Sequence, residues 1–310
     1  NSSCKEINIF AGLLQEASCY AMNYLMKSLN DIIKINLPKI SLLDIGAMKT
    51  NETDRFESLF KSNLIEIIGF EANINEYLKL QNKTNKKYFN YCLGDGTERI
   101  LYITRYPGCT SLYEPNPEII NLFTGIGTKE NGNFRVIEKR KVKTHRLEKI
   151  KEINKVDVIK VDTQGSELNI LKSFEKKIKE VLIIESEVEF VELYKNQPLF
   201  SDIQNFLTNN GFILHKLIDI TGKTFRPWIA NNNPMFPMSQ LLSADAIFVK
   251  DFSKLDKFSN DDLLKISLFL HDIYNSYDLS HYFLKEYDNR NKLQLSDSYK
   301  QYIDYKKQLN

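Results

Sequence analysis

The chain has 310 residues, 42% of them hydrophobic and 26% charged, which is the balance of a folded globular protein and not of a disordered or fibrous one. Its formal net charge of +2 gives no argument for nucleic acid or for an anionic membrane as partner. No run of eighteen apolar residues occurs, which excludes an ordinary membrane-spanning helix.

The start, NSSCKEINIF, has no basic stretch followed by an apolar one, so no secretory leader is expected. Cys4, Cys19, Cys92 and Cys109 are scattered, without a CxxC pair or a histidine at metal-site spacing. That pattern predicts free thiols in a reducing cytoplasm. From Leu13 to Ile35 apolar residues recur at helical spacing, predicting one or two packing helices that end near Pro38. Residues 1–38 therefore read as an N-terminal helical segment.

Short apolar runs follow, each stopping at a turn or a carboxylate. ISLLDIGA stops at Asp44, LIEIIGFEAN at Glu71, and KYFNYCLGDG is next with ERILYIT as its strand-like companion. VDVIKVD ends at Asp162, and VLIIESEVEF ends in three carboxylates. Helical patterns lie between, as in TDRFESLFKS, NINEYLKLQNK and SDIQNFLTNNG, and the strands FILHKLI and DAIFVK come last. Alternating strands and helices predict a doubly wound parallel sheet over residues 39–252, with an antiparallel pair at its end. Ligands of such sheets bind outside the carboxyl ends of the strands, so Asp44, Glu71, Asp162, Glu187 and Glu189 are expected on one rim. Residues 253–310, rich in Tyr, Lys, Asp and Leu, read as a helical appendage whose tyrosines pack.

The rim carries the chemistry. A carboxylate at the end of a second parallel strand, Glu71 here, is placed to hold a ribose diol. Nicotinamide dinucleotides and S-adenosylmethionine are both bound in this way. A dinucleotide needs three glycines around its pyrophosphate, whereas DIGAMKTNET offers Gly46 alone. The turn thus favours the phosphate-free cofactor, with Asp44 facing its cationic amino-acid end. Lys160 and Asp162 lie two apart on one strand and so share a face. A lone buried charge costs several kcal/mol, roughly, so they must be paired with each other or with Glu185 or Glu187. Two readings stay open, a structural ion pair and a polar floor under a reacting group.

The run VDVIKVDTQGSELNILKSF resembles the signature K-[IL]-D-x-[EQ]-G-x-E-x-x-[IL]-L of the FkbM family of S-adenosylmethionine-dependent methyltransferases. LLDIGA resembles that family's first cofactor motif and IIGFEAN its second, with Ala72-Asn73 where a proline and an acidic residue are usual. CLGDGTERILYITRYPGCTSLYEPN, KTHRLEKI and EVEFVELYKNQPLFSDIQNFL resemble further blocks, so the resemblance covers about residues 40–250. It departs at Met48-Lys49-Thr50, where many members have a second glycine. The resemblance implies a class I methyltransferase fold, a Rossmann-like seven-stranded sheet with its last strand antiparallel. It also implies O-methylation of a hydroxyl on a saccharide or secondary metabolite.

By position it implies Asp44, Gly46 and Ala47 at the methionine part of the cofactor, Glu71 and Ala72 at the ribose, and Leu93 and Gly94 at the adenine. Asp162 and Thr163 fall near the methyl group. Asp162 is the first candidate for the acceptor's base and His145 the second, on its ordinary pKa of about 6.5, with Lys160 beside them. His215, His271 and His281 default to structural roles. Arg105, Ser111 and Tyr113, in the Pro-rich loop that also holds Tyr106, are candidates for the acceptor wall, as are Glu187, Glu189 and Tyr194, with Trp228 a fourth element. A Mg²⁺ on Asp162, Glu187 and Glu189 is a further alternative, the same carboxylates being equally open to Lys160 and loop arginines. The competing readings are a silent cofactor-binding scaffold or interaction protein and, less favoured, a nicotinamide oxidoreductase. The expected partners are a small-molecule or saccharide acceptor and a second copy through the C-terminal helices, without nucleic acid.

Overall fold

The computed structural model describes residues 26–48 and 55–308. They divide into two compact units, Lys39–Lys254 and a second that joins the chain up to Pro38 with Leu255 onward.

The strands of the first unit are β1 (Ile40–Ile45), β2 (Ile65–Phe70), β3 (Lys86–Phe89), β4 (Glu98–Thr104), β5 (Val136–Lys143), β6 (Val158–Val161), β7 (Ile183–Glu189), β8 (Phe212–Lys223) and β9 (Gln240–Lys250). Seven of them form one sheet in the order β3-β2-β1-β6-β7-β9-β8. β9 runs antiparallel to both neighbours, and the other pairings in this sheet are parallel. This is the class I methyltransferase arrangement, with the last strand reversed. Nearly every position of β6 and β7 is buried, because helices cover both faces of the sheet. That burial is why these strands read as unbroken apolar runs. The core beneath the site includes Leu43, Ile45, Phe70, Ile159, Val161 and Val188.

After β1 the chain builds outward through β2 and β3, then returns to place β6 on the other side of β1. The strand order therefore reverses at β1 and β6, which opens a crevice at their carboxyl ends. Gly46 turns the chain there with φ +84°, and a Cβ on it would lie 1.8 Å from the carbonyl oxygen of Asp162. The single glycine of the first turn thus answers a close approach of two backbones.

Two readings of local structure are corrected. ERILYIT does not accompany the KYFNYC run, for β4 pairs antiparallel with β5 in a separate two-stranded ribbon. β5, VIEKRKVK, carries so many charges that no apolar alternation is visible, yet as a ribbon strand it needs none. The helix before the sheet, Leu29–Ile33, stops at Lys34 in the left-handed conformation and not at Pro38. The predicted helical stretch from Leu13 up to residue 25, with Cys4 and Cys19, lies outside the described residues.

In the second unit, helices span Asn260–Asp272, Tyr277–Asn291 and Leu295–Gln308. Ser259 caps the first of these through a reciprocal pair with Asp262. Its far end holds the chain before the sheet. His271 bonds the Tyr299 hydroxyl at 2.8 Å and the Lys27 carbonyl at 2.9 Å, and Asp272 accepts from Ser28 Oγ at 2.6 Å and from the Leu29 amide at 2.9 Å. His271 is thus a structural residue. Tyr274, Tyr277 and Tyr299 are buried packing residues, while Tyr282 and Tyr305 are exposed.

Candidate active site

A cavity of about 670 Å³ opens at the switch point, within the ~300–1,000 Å³ usual for small-molecule sites. Asp44, Gly46 and Ala47 at the end of β1, Glu71 and Ala72 after β2, and Leu93 after β3 line one side. Lys160, Asp162 and Thr163 at the end of β6 line another. Gly69 also leaves room, since a Cβ there would strike the Tyr88 ring at 2.3 Å.

Lys160 answers the question its strand raises. Its ammonium stands 3.7 Å from Asp162 Oδ2. Burial alone would lower its pKa, but the carboxylates of Asp162, Asp44, Glu185 and Asp245 outweigh burial and raise it, so it stays charged. Asp162 shows the converse. Burial would raise its pKa, and Lys160 with the hydrogen bonds around it brings the net shift downward. It is an ionised carboxylate on the cavity wall.

Behind it the acids are different. Burial and the charge of Asp162 push Glu187 well above the usual carboxylate range, and burial does the same to Glu189. Neither lines the cavity, so the expected single rim separates into Asp44, Glu71 and Asp162 at the opening and two glutamates beneath. The link between the layers is Gln164. Its amide nitrogen donates to Asp162 Oδ1 at 3.2 Å and to Glu187 Oε2, and its side-chain oxygen accepts from the Tyr194 hydroxyl at 3.0 Å. Its backbone oxygen accepts from Ser111 Oγ at 2.6 Å.

The turn after β6 is stapled by Glu167, whose carboxylate accepts from the Thr163 amide at 2.7 Å, the Thr163 hydroxyl at 3.0 Å and the Gly165 amide at 2.9 Å. Burial pushes Glu167 up to about 7 against these donors. On the opposite wall, burial raises Glu71 to about 7, although its Oε1 accepts from the Asn73 amide at 2.6 Å. Asp245, on β9, is likewise raised to about 7, chiefly by burial and next by Glu185. Glu185 itself pairs with Arg55.

The model of the methyltransferase FkbM domain matches residues 44–214, more than half of the chain and all of the strand ends just described. The chain belongs to the FkbM methyltransferase family. Among solved structures it is similar to magnesium protoporphyrin IX methyltransferase from Synechocystis PCC 6803 with bound SAM, at 10% identity and a TM-score of 0.33, over 72% of this chain and 77% of that one. It is also similar to precorrin-6y C5,15-methyltransferase from Geobacter metallireducens GS-15, at 12% identity and a TM-score of 0.33, over 72% and 85%. No curated protein matches. The strand order itself shows the fold.

Not every candidate named from the sequence lines the cavity. His145 is exposed, its ring stacked on Tyr91 at 4.9 Å, and it does not line the wall. Gly94 and Tyr113 line a smaller neighbouring cavity of about 250 Å³. Tyr113 accepts there from Asn169 Nδ2 at 2.8 Å. Arg105 is exposed and donates to the Asn131 carbonyl at 2.6 Å. Ser111 does line the main cavity, but Tyr194 is fully buried and acts through Gln164. Among the described residues no group of three or more His, Cys, Asp or Glu side chains is placed to hold a metal ion. Asp162 and Glu187 instead share the Gln164 amide as a donor.

Gln164, Glu167 and Asp245 escaped the sequence reading. The first two stand inside the signature run and were visible there as motif positions without a role. Asp245 begins the apolar run DAIFVK, and only the pairing of Glu187 with Asp245 across β7 and β9 brings it to the site.

Proposed function

We propose that the chain is an S-adenosylmethionine-dependent O-methyltransferase acting on a hydroxyl of a small saccharide or secondary metabolite. The observation that carries this reading is Asp162, an ionised carboxylate on the wall of the same cavity that Gly46 and Glu71 line. The donor set fits the cofactor. Gly46 leaves the backbone bare at the first turn, Glu71 is placed to accept from two ribose hydroxyls, and Asp44 and Asp162 offer negative charge to an ammonium and a sulfonium. When bound, the cofactor supplies an electrophilic methyl group on a sulfur that is already a good leaving group.

The chain then has to orient an acceptor and take its proton. Asp162 accepts a hydrogen bond from the acceptor hydroxyl and receives the proton as the oxygen becomes alkylated. Such a positioned base typically contributes about 10²–10⁴-fold. Lys160 and Gln164 hold the carboxylate in place without neutralising it. Tyr106, Gly108, Ser111 and Leu112 supply the wall facing the acceptor. His145, outside the cavity lining, takes no part.

The deciding experiment is a thermal-unfolding titration with S-adenosylhomocysteine beside NADH. A ligand at 100 times its Kd stabilises by about 2.7 kcal/mol, a shift of a few degrees. The expected result is a shift with S-adenosylhomocysteine alone, lost in Glu71→Ala, followed by methyl transfer to hydroxylated acceptors that Asp162→Asn abolishes. A shift with NADH alone, or with neither, sinks the reading.

A further inference from the structure

Half of the large apolar side chains that the described residues leave exposed come from one short stretch. Of fourteen, seven lie between Ile220 and Leu241. Trp228 is 65% exposed, Met235 54%, Ile229 53% and Met238 50%. Single exposed apolar residues are ordinary, but a concentration of them marks a contact surface.

The exposure is not that of a loose loop. The excursion between β8 and β9 is bound to the segment 122–126 through Thr224, Phe225 and Arg226. The Thr124 amide donates to the Thr224 carbonyl at 2.9 Å, and the Arg226 amide to the Leu122 carbonyl at 2.7 Å. The Arg226 guanidinium donates to the carbonyls of Phe123 at 2.8 Å and Ile126 at 3.0 Å, and the rings of Phe123 and Phe225 pack tilted at 4.8 Å. The arm also closes on itself, through Thr224 Oγ1 to the Phe236 carbonyl at 2.7 Å. Gly125, at φ +72°, sits so near that a Cβ would lie 2.5 Å from Met235 Sδ. A scaffold this well hydrogen-bonded holds Trp228, Ile229, Met235 and Met238 outward.

Charge says what the surface meets. From Ile220 to Ala244 the sequence has no aspartate or glutamate, although the whole chain has 40 in 310 residues. The stretch carries Lys223 and Arg226 instead, and Lys223 lies half-buried with its ammonium 3.8 Å from Met235 Sδ. A tryptophan, methionines and branched apolar residues beside cations with no acid among them suit the interface of an anionic bilayer. Position says what the docking does. β8 runs parallel to β1 and β6, so its end lies on the rim of the cavity, and Asp219 at the root of the arm lines that cavity.

We propose that the Ile220–Leu241 arm docks the cavity mouth onto an anionic lipid surface. The acceptor is then a hydroxyl carried at that surface, and this second clause alone rests on the methyl-transfer reading. The docking stands or falls independently of it.

Trp228 is the chain's one tryptophan, so its fluorescence reports this arm and nothing else. The test uses the full chain with phosphatidylcholine vesicles, with and without about 30 mol% phosphatidylglycerol. Co-flotation with the anionic vesicles and a blue shift of emission, quenched by brominated acyl chains, are expected. Trp228→Ser with Met238→Ser should lower the bound fraction at least about fivefold while the melting curve is unchanged. Lys223→Glu should weaken binding to the anionic vesicles only. The absence of flotation and of a shift overturns the proposal, as does undiminished binding of the double variant. A blue shift that grows with protein concentration without lipid, together with a dimer in sedimentation, overturns it in favour of a second copy as the occupant.

Discussion

Tyr194 donates a hydrogen bond of 3.0 Å to the side-chain oxygen of Gln164, thirty residues before it in the chain. Because that oxygen is occupied by a donor, the amide nitrogen of Gln164 must point the other way, at Asp162 and Glu187. A buried tyrosine thereby sets the direction in which the carboxylate at the cavity is held.

Gln164→Met should therefore remove the amide that Asp162 and Glu187 share and the oxygen opposite Tyr194, whose hydroxyl keeps the Cys109 carbonyl at 3.0 Å. The expected loss is about 1–3 kcal/mol in chemical denaturation. Gln164→Glu should be worse at pH 8 than at pH 5, because it places another acid among Asp162, Glu187 and Glu189. Equal loss at both values would mean that Gln164 is not oriented as described.

Gly46→Ala tests the crossing of β1 and β6. Its Cβ would meet the Asp162 carbonyl at 1.8 Å on a residue with φ +84°, and neither strand can move without losing its place in the core. A loss of about 3 kcal/mol or failure to fold is expected, against ordinary behaviour for Ala47→Gly next to it. Comparison of their melting temperatures decides it.

Lys160→Met removes the cation that Asp162, Asp44 and Asp245 face. Taking one partner from a buried ion pair costs about 3–5 kcal/mol, here at the low end because the lysine keeps some contact with the cavity. The deficit should shrink toward pH 5 as the abandoned carboxylates take up protons. Denaturation midpoints measured from pH 5 to 8 check it, and a deficit constant with pH would contradict the pairing.

Stability of the unliganded protein should fall across the neutral range. Glu71 and Asp245 are raised from 4.5 and 3.8 to about 7, so the folded state holds protons that the unfolded state has released. Their contribution is complete below pH 4 and is lost as pH rises through 7. Asp251, lowered to about 2 by hydrogen bonds from Lys254 and Ser253, acts in the opposite sense and is lost only as pH falls through 2. An optimum near pH 4–5 is expected, and Glu71→Gln or Asp245→Asn should flatten the limb between pH 5 and 8. A wild-type curve that rises over that limb would refute the assignment.

How much of this was legible beforehand differs by residue. Asp44, Glu71 and Asp162 were found because each ends an apolar run, and carboxylates at strand ends are where a doubly wound sheet binds its ligands. Glu187 and Glu189 were read onto the same rim because they share a strand, but neither lines the cavity, and burial pushes both well above the usual carboxylate range. His145 drew attention by its ordinary pKa, a property of the isolated side chain. Its place depends on a packing contact with Tyr91 that no spacing in the sequence reveals. Gln164 and Glu167 carried the opposite difficulty, being neutral or unremarkable in composition yet central once partners from thirty residues away arrive.

The sequence by itself determined the fold class, since burial on both sheet faces forces unbroken apolar strands and their punctuation by helices. It also determined the family, through a signature whose residues are contiguous. Only the tertiary structure decided which acids line the cavity, which stand behind it with their pKa values pushed up by burial, and which of the apolar residues between Ile220 and Leu241 stay exposed. Those properties depend on distances between segments far apart in the chain and on solvent access, and both exist only after the chain has packed.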